Sequence, residues 1–111
     1  MITNEFEKGK AIDLRESIEF SSGGIVSKTV LKRETGNISV FSFDKGEGLT
    51  EHTSPFDAVI MGLEGKGEIK IDGKPNVVES GQLIIMPKNI PHAVYAVERF
   101  KMMLIMIRSK E

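Results

Sequence analysis

Gly81-Gln82-Leu83-Ile84-Ile85-Met86-Pro87-Lys88-Asn89-Ile90-Pro91-His92 decides the fold. A short apolar run ends in a turn pinned by two prolines, and the turn delivers a histidine. Proline fixes φ and removes a backbone donor, so it stops the strand and sets where the next residue enters. An upstream segment echoes this arrangement, with Gly46 leading by the same kind of glycine start into His52. These are the only two histidines of the chain. Their matched places in two glycine-led segments predict a barrel with a pocket inside it.

Composition narrows the function classes. The 111 residues suit one domain, read as 1–111. The chain has no cysteine, so it has no disulfide framework and no thiolate ligand or nucleophile. Fifteen basic and sixteen acidic side chains nearly cancel. Nucleic-acid binding draws its affinity from a basic footprint on phosphates and is not expected here. A polybasic membrane patch is also missing. The polar stretch Met1–Lys10 does not read as a signal peptide, and Met102–Ile107 is too short an apolar run to span a bilayer. The expected partner is a small molecule or a second copy of the chain, in the cytoplasm.

Working outward from the opening stretch, short Val-, Ile- and Phe-rich runs recur between glycine-rich turns. Ile25–Lys32 and Ile38–Phe43 flank a turn at Glu34-Thr35-Gly36-Asn37. Ala58–Leu63 ends at Glu64-Gly65-Lys66-Gly67. Glu68–Ile71 alternates polar and apolar, and Asp72-Gly73 is a two-residue hairpin signal. Asn76–Val78, Gln82–Met86, His92–Val97 and Phe100–Ile107 complete about eight strands, a number that suits a two-sheet barrel or jelly roll. Residues 1–24 read as an arm or first edge strand, with one capping-box-like turn at Asp13–Glu16, and 25–107 as the barrel. Phe100–Ile107 is apolar on both faces, so cover is expected on both sides, from the barrel interior and from a second sheet or subunit. The methionines at 61, 86, 102, 103 and 106 read as adaptable core filler.

These residues resemble the cupin superfamily of small β-barrels. Its first motif runs glycine, five residues, His-x-His, three or four residues, Glu, six residues, glycine. Gly46, His52 and Gly65 match it, so motif 1 spans 46–65. Its second motif runs glycine, five residues, Pro-x-Gly, two residues, His, three residues, Asn. Gly81, Pro87 and His92 match in register, with Asn89 at the middle glycine and Ala96 at the final asparagine, so motif 2 spans 81–96. The resemblance implies an all-β double-stranded β-helix of two antiparallel sheets, and dimers formed through sheet edges.

The departures bear on function. The family holds a metal with two histidines and a glutamate from the first motif and one histidine from the second. Here Ser54 stands at the second histidine and Ala58 at the glutamate. First-row metals want three or more protein ligands of suitable softness. His52 and His92 remain as metal-ligand candidates for one divalent ion (Zn, Ni, Fe, Mn or Cu), or for none. Asp57, in a turn after Pro55, is the one carboxylate that could replace the missing ligand; its plainer reading is a side chain that bonds turn amides. Alternation places His52 and Ser54 on one face, continued by Ala58 and Ile60. The expected pocket is lined by His52, Ser54, Asp57, Ala58, Ile60, Met86, His92 and Val94. The leading expectation is a barrel that binds a small molecule, with a reduced metal site and no assignable catalysis. Beside it stand a metal-dependent oxygenase or isomerase using His52 and His92, and a structural or assembly module. A homodimer is expected in each case.

Overall fold

The computed structural model describes residues 5–108. Among them are nine strands and no helix: β1 (Ile25–Arg33), β2 (Gly36–Phe43), β3 (Gly48–His52), β4 (Asp57–Glu64), β5 (Lys66–Ile71), β6 (Lys74–Glu79), β7 (Leu83–Met86), β8 (His92–Ala96) and β9 (Phe100–Ile107). Two antiparallel sheets form, one ordered β1-β2-β9-β4-β7 and the other β3-β8-β5-β6. This is the jelly-roll architecture expected from the sequence. The strand absent from the sequence reading is β3. Its residues Gly48-Leu49-Thr50-Glu51-His52 carry one large apolar side chain, so the period-2 signal is too weak to register.

Turn chemistry sets the register. Asp72 and Gly73 both adopt positive φ (53° and 79°) and close the β5–β6 hairpin, with Ile71 opposite Lys74. Pro75 sits in β6, an edge strand, where its missing N–H costs no central ladder bond. The β1–β2 turn is tighter than the sequence reading placed it, because Gly36 already pairs with Arg33. Only glycine fits there, since an added Cβ would lie 2.2 Å from the Met106 carbonyl oxygen.

Alternation along the strands decides what faces inward. β9 sends Phe100, Met102, Leu104 and Met106 into the barrel, and β4 sends Ala58 and Ile60. One end of the interior is filled: Phe43 stacks between Phe41 and Phe100, with Ile69 and Val78 packed against them. The other end is the site.

Among the described residues the outer side of β9 is covered in part by the chain's own arm, which the sequence reading did not anticipate: Ile18 is buried there with Val40 and Leu63, and Leu14, Phe6 and Met103 close around them. The described part of the arm, residues 5–24, contains no strand and no helix, so the edge-strand alternative does not hold. Asp13 accepts a bond from Arg15 N, and Ser17 N bonds Leu14 O, which gives a single turn. Residues 1–4 of the arm and 109–111 lie outside the described residues.

Several polar contacts fasten the arm to the barrel, two of them through Lys101 and Asp44. Lys101, buried on the outer face of β9, donates to the Arg15 carbonyl at 2.6 Å and lies 5.0 Å from the Phe20 ring centroid. Asp44 accepts from Gly23 N at 2.6 Å and from Arg99 Nε at 2.9 Å. Those donors, with Lys45 N, hold its carboxyl down to about 2.

Candidate functional site

His52 and His92 are cross-strand partners, on β3 and β8. The pairing depends on a bulge. Leu49 opposes Val94 and His52 opposes His92, so β3 spends one more residue than β8 between the two pairs. Leu49 and Val94 both face the interior. Strict alternation from Leu49 would bring Glu51 inward; the extra residue turns His52 in instead. The two imidazole centroids are 4.4 Å apart, edge to face. His92 is 6 % exposed while His52 lies exposed at the mouth.

The turn ahead of His92 is tied to the segment after β3. Asn89 N donates to Ser54 O at 2.7 Å, and Lys88 N donates to Asp57 Oδ1 at 3.1 Å. Asn89 takes positive φ (64°) at the position where the family pattern has glycine. Asparagine tolerates that conformation better than most residues, so the turn survives the change. Pro91 O then accepts from Asp72 N at 2.8 Å.

The hydrogen bonds of the rings fix their proton positions. His52 Nδ1 lies 2.8 Å from Thr50 O, and His92 Nδ1 lies 3.2 Å from Ile90 O. A carbonyl only accepts, so each Nδ1 carries the hydrogen and each neutral ring keeps its lone pair on Nε2. Burial lowers the His92 pKa; the Ile90 bond opposes this and repulsion from His52 adds to it.

Behind the rings is a cavity of about 50 Å³. The structure brings His52, Ser54, Ala58, Ile60, Met86, His92 and Val94 together around it, and adds Leu49, Met102, Leu104 and Met106. Ser54 arrives from the loop after β3 rather than along the strand. Its Oγ accepts from Phe56 N at 3.1 Å, which leaves its hydroxyl hydrogen to give. Asp57 does not join this set. Its cross-strand partner is Ile107, on the side of the sheet opposite Ala58, and its carboxylate holds the Lys88 amide. Larger hollows, such as one of about 360 Å³ beside Glu68, Lys70 and Tyr95, are open depressions to which no histidine contributes.

The residues present do not fit a hard divalent ion held by three histidines and a glutamate. Among the described residues no group of three or more His, Cys, Asp or Glu side chains comes together to hold a metal. Ser54 is a neutral oxygen and Ala58 offers no ligand. Residues that sequence reasoning left out of the site are Met102, Leu104 and Met106, whose inward turn follows from β9 alternation, and Leu49, whose strand went unread.

Comparison with known proteins agrees with this architecture. Residues 39–108 match the cupin domain family model, and the chain belongs to that family. A conserved protein of unknown function from Streptococcus pyogenes is similar over 97 % of this chain and 95 % of its own, at 40 % identity and a TM-score of 0.91. A cupin 2 conserved barrel domain protein from Leptotrichia buccalis is similar over 87 % of this chain at 41 % identity and a TM-score of 0.85; the match spans 47 % of that longer chain. A cupin superfamily protein from Desulfitobacterium hafniense shares the fold at 24 % identity and a TM-score of 0.87, covering 98 % of this chain and 99 % of its own. No curated protein matches the chain. Among the described residues no helix is long and apolar enough to cross a membrane.

Proposed function

We propose that this cupin binds a small, mostly apolar ligand through one hydrogen-bonding end, at the paired imidazoles. The observation that carries the reading is the pair itself: two rings 4.4 Å apart, both with Nδ1 bonded to a carbonyl, at the head of an apolar cavity. Two Nε2 lone pairs accept, so the complementary group is an O–H or N–H donor. The lowered His92 pKa supports recognition of a neutral donor over an anion. Size sharpens the class. Ligand pockets for drug-sized molecules run to roughly 300 Å³ or more, whereas this cavity is about 50 Å³. The ligand therefore has a few heavy atoms, unless the flexible methionines swing aside.

A metal-dependent oxygenase or isomerase would need a ligand set that Ser54 and Ala58 do not supply, so ligand binding without assigned catalysis is the preferred reading. A purely structural module accords with the packed Phe43–Phe100 end but leaves the paired imidazoles without a role. Absence of cysteine accords with a cytoplasmic setting. The test is imidazole ¹⁵N NMR during titration with short alcohols, a short carboxylic acid and a phenol. Movement of the His52 and His92 Nε2 signals by a donor, abolished in Ser54→Val or Ile60→Trp, supports the reading. Signals that stay fixed against every member of the series overturn it.

We further propose a homodimer. The outer face of the five-stranded sheet carries the cross-strand row Ile38, Ile105, Val59 and Ile85, ending at edge strand β7, where Leu83 and Ile85 are 54 % and 61 % exposed. An uncovered apolar edge invites pairing. Light scattering should give twice the chain mass, and half of it for Ile85→Lys; a monomeric parent chain at micromolar concentration refutes the assignment.

A further inference from the structure

The methionines of the pocket are placed around the position that lacks its carboxylate. Ala58 on β4 has two direct cross-strand neighbours, Met86 on β7 and Met106 on β9. Directly opposed side chains leave their strands ~4.5–5.5 Å apart at Cβ. All three face the interior and line the cavity that His52 and His92 close. Alanine's small side chain leaves the space above it to the two thioethers. Where the family pattern has one hard oxygen ligand, this chain has two soft sulfur atoms on either side.

The imidazoles are prepared in the manner of metal ligands. Each donates its Nδ1–H to a backbone carbonyl, two residues back in both cases, which fixes the tautomer and frees Nε2. The lining contains no carboxylate and no thiolate. A divalent ion entering an apolar cavity without an anionic ligand faces a large desolvation penalty; a single charge faces about a quarter of it, because the Born energy scales with charge squared. Imidazole with thioether is a donor set that selects copper(I).

We propose that this pocket is a copper(I) site, with His52 and His92 as nitrogen ligands and Met86 and Met106 as sulfur ligands. The assignment rests on the reading that the paired imidazoles serve a ligand pocket; copper(I) takes the same two Nε2 lone pairs that a hydrogen-bond donor would use, so the two are alternative occupants of one site. Met61 and Met103 are excluded by their register: they oppose each other on the outer side of the same sheet.

The test is an anaerobic titration of the untagged full chain with copper(I) in competition with bicinchoninate. One copper(I) per chain should be withdrawn from the chelator. Met86→Leu/Met106→Leu, close to volume-conserving, should weaken binding by about tenfold or more. Silver(I), as a diamagnetic stand-in, should shift the methyl signals of Met86 and Met106 in the parent chain and leave those of Met61 and Met103 in place. No copper withdrawn, undiminished affinity in the leucine variant, or silver shifts confined to Met61 and Met103 each overturn the assignment. The silver experiment needs no variant, so it decides even if the leucine chain folds poorly. If copper fails while hydrogen-bond donors still move the histidine Nε2 signals, only the metal assignment falls; if neither moves them, the pocket reading falls as well.

Discussion

Returning the missing carboxylate by Ala58→Glu measures how strongly this interior resists a hard ligand. Ala58 is 2 % exposed and sits between Met86 and Met106 against a cavity of about 50 Å³. A glutamate here meets a mostly apolar lining and, among the described residues, no Lys or Arg. Kept neutral at pH 7, it costs ~3.7 kcal/mol, from a reference pKa near 4.3 at 1.36 kcal/mol per unit. Ionised against a protonated imidazole it avoids part of that cost but takes on the desolvation of a buried pair. Crowding the methionines adds ~1–3 kcal/mol. The two terms bound the loss at about 5–7 kcal/mol; with an imidazole offsetting part of it, we expect a net loss of at least about 3 kcal/mol, which lowers Tm by roughly 10 °C or more in a domain of this size. In Ser54→His/Ala58→Glu the same carboxylate joins three imidazoles, and zinc at a thousandfold excess over its Kd should return ~4 kcal/mol. Calorimetric melts with and without zinc, on untagged protein, read both effects. The reasoning fails if Ala58→Glu melts with the parent chain, or if zinc raises the parent's Tm as much as the double variant's.

Other expectations follow from the packing and the shifted groups. Gly67→Ala places a Cβ 2.4 Å from the ring of Phe100, which is 0 % exposed and has no room to retreat; a loss of about 2 kcal/mol should appear in the urea midpoint with the m-value unchanged. His92 carries a folded-state pKa below its ordinary value. The unfolded chain therefore binds the extra proton as pH falls below about 6.5, and stability drops from there down to the folded pKa, below which the loss is constant; urea titrations at pH 8 to 5 should show this slope, and His92→Gln should remove it. For Asp44, folded pKa about 2 against the ordinary 3.8, the contribution is present above 3.8 and is lost toward 2, a separate and more acidic window that Asp44→Asn abolishes. Lys101→Met removes the charged donor to the Arg15 carbonyl, worth ~1.5–3 kcal/mol; limited proteolysis should then cut within residues 5–24 sooner than in the parent chain.

Much of this fold was legible because its signals are local. Proline pins at Pro87 and Pro91, the Asp72-Gly73 hairpin and the alternation of β5 each follow from one stretch of chain. What the sequence hid depends on distant partners. β3 reads as polar because only Leu49 and the bulged His52 face inward, and a bulge appears only when two strands are set side by side. The arm's cover over β9 was likewise invisible: Ile18 and Leu14 look like a helix face, and only the outer surface of β2, β9 and β4 shows what they pack against. The second apolar face of Phe100–Ile107 was therefore assigned to another sheet or subunit, when part of its cover is twenty residues of the same chain wrapped back over it.

The site divides along the same line. His52 and His92 were legible as a pair because each is the only histidine in its half of a recognisable motif. Asp57 was read two ways, as a replacement ligand lining the pocket and, more plainly, as a side chain that bonds turn amides. β4 begins at Asp57 itself, one residue earlier than read, so alternation keeps the interior for Ala58, as expected, and the Asp57 carboxylate accepts from Lys88 N. In the copper(I) site we propose, Met86 and Met106 on two other strands take the carboxylate's place, and no spacing within motif 1 points to them. A ligand set moved in that way would leave the motif looking degraded while the cavity kept four donor side chains. Loss of a motif residue is thus weak evidence for loss of a site in a barrel, where each inward position has two neighbours able to take over its space.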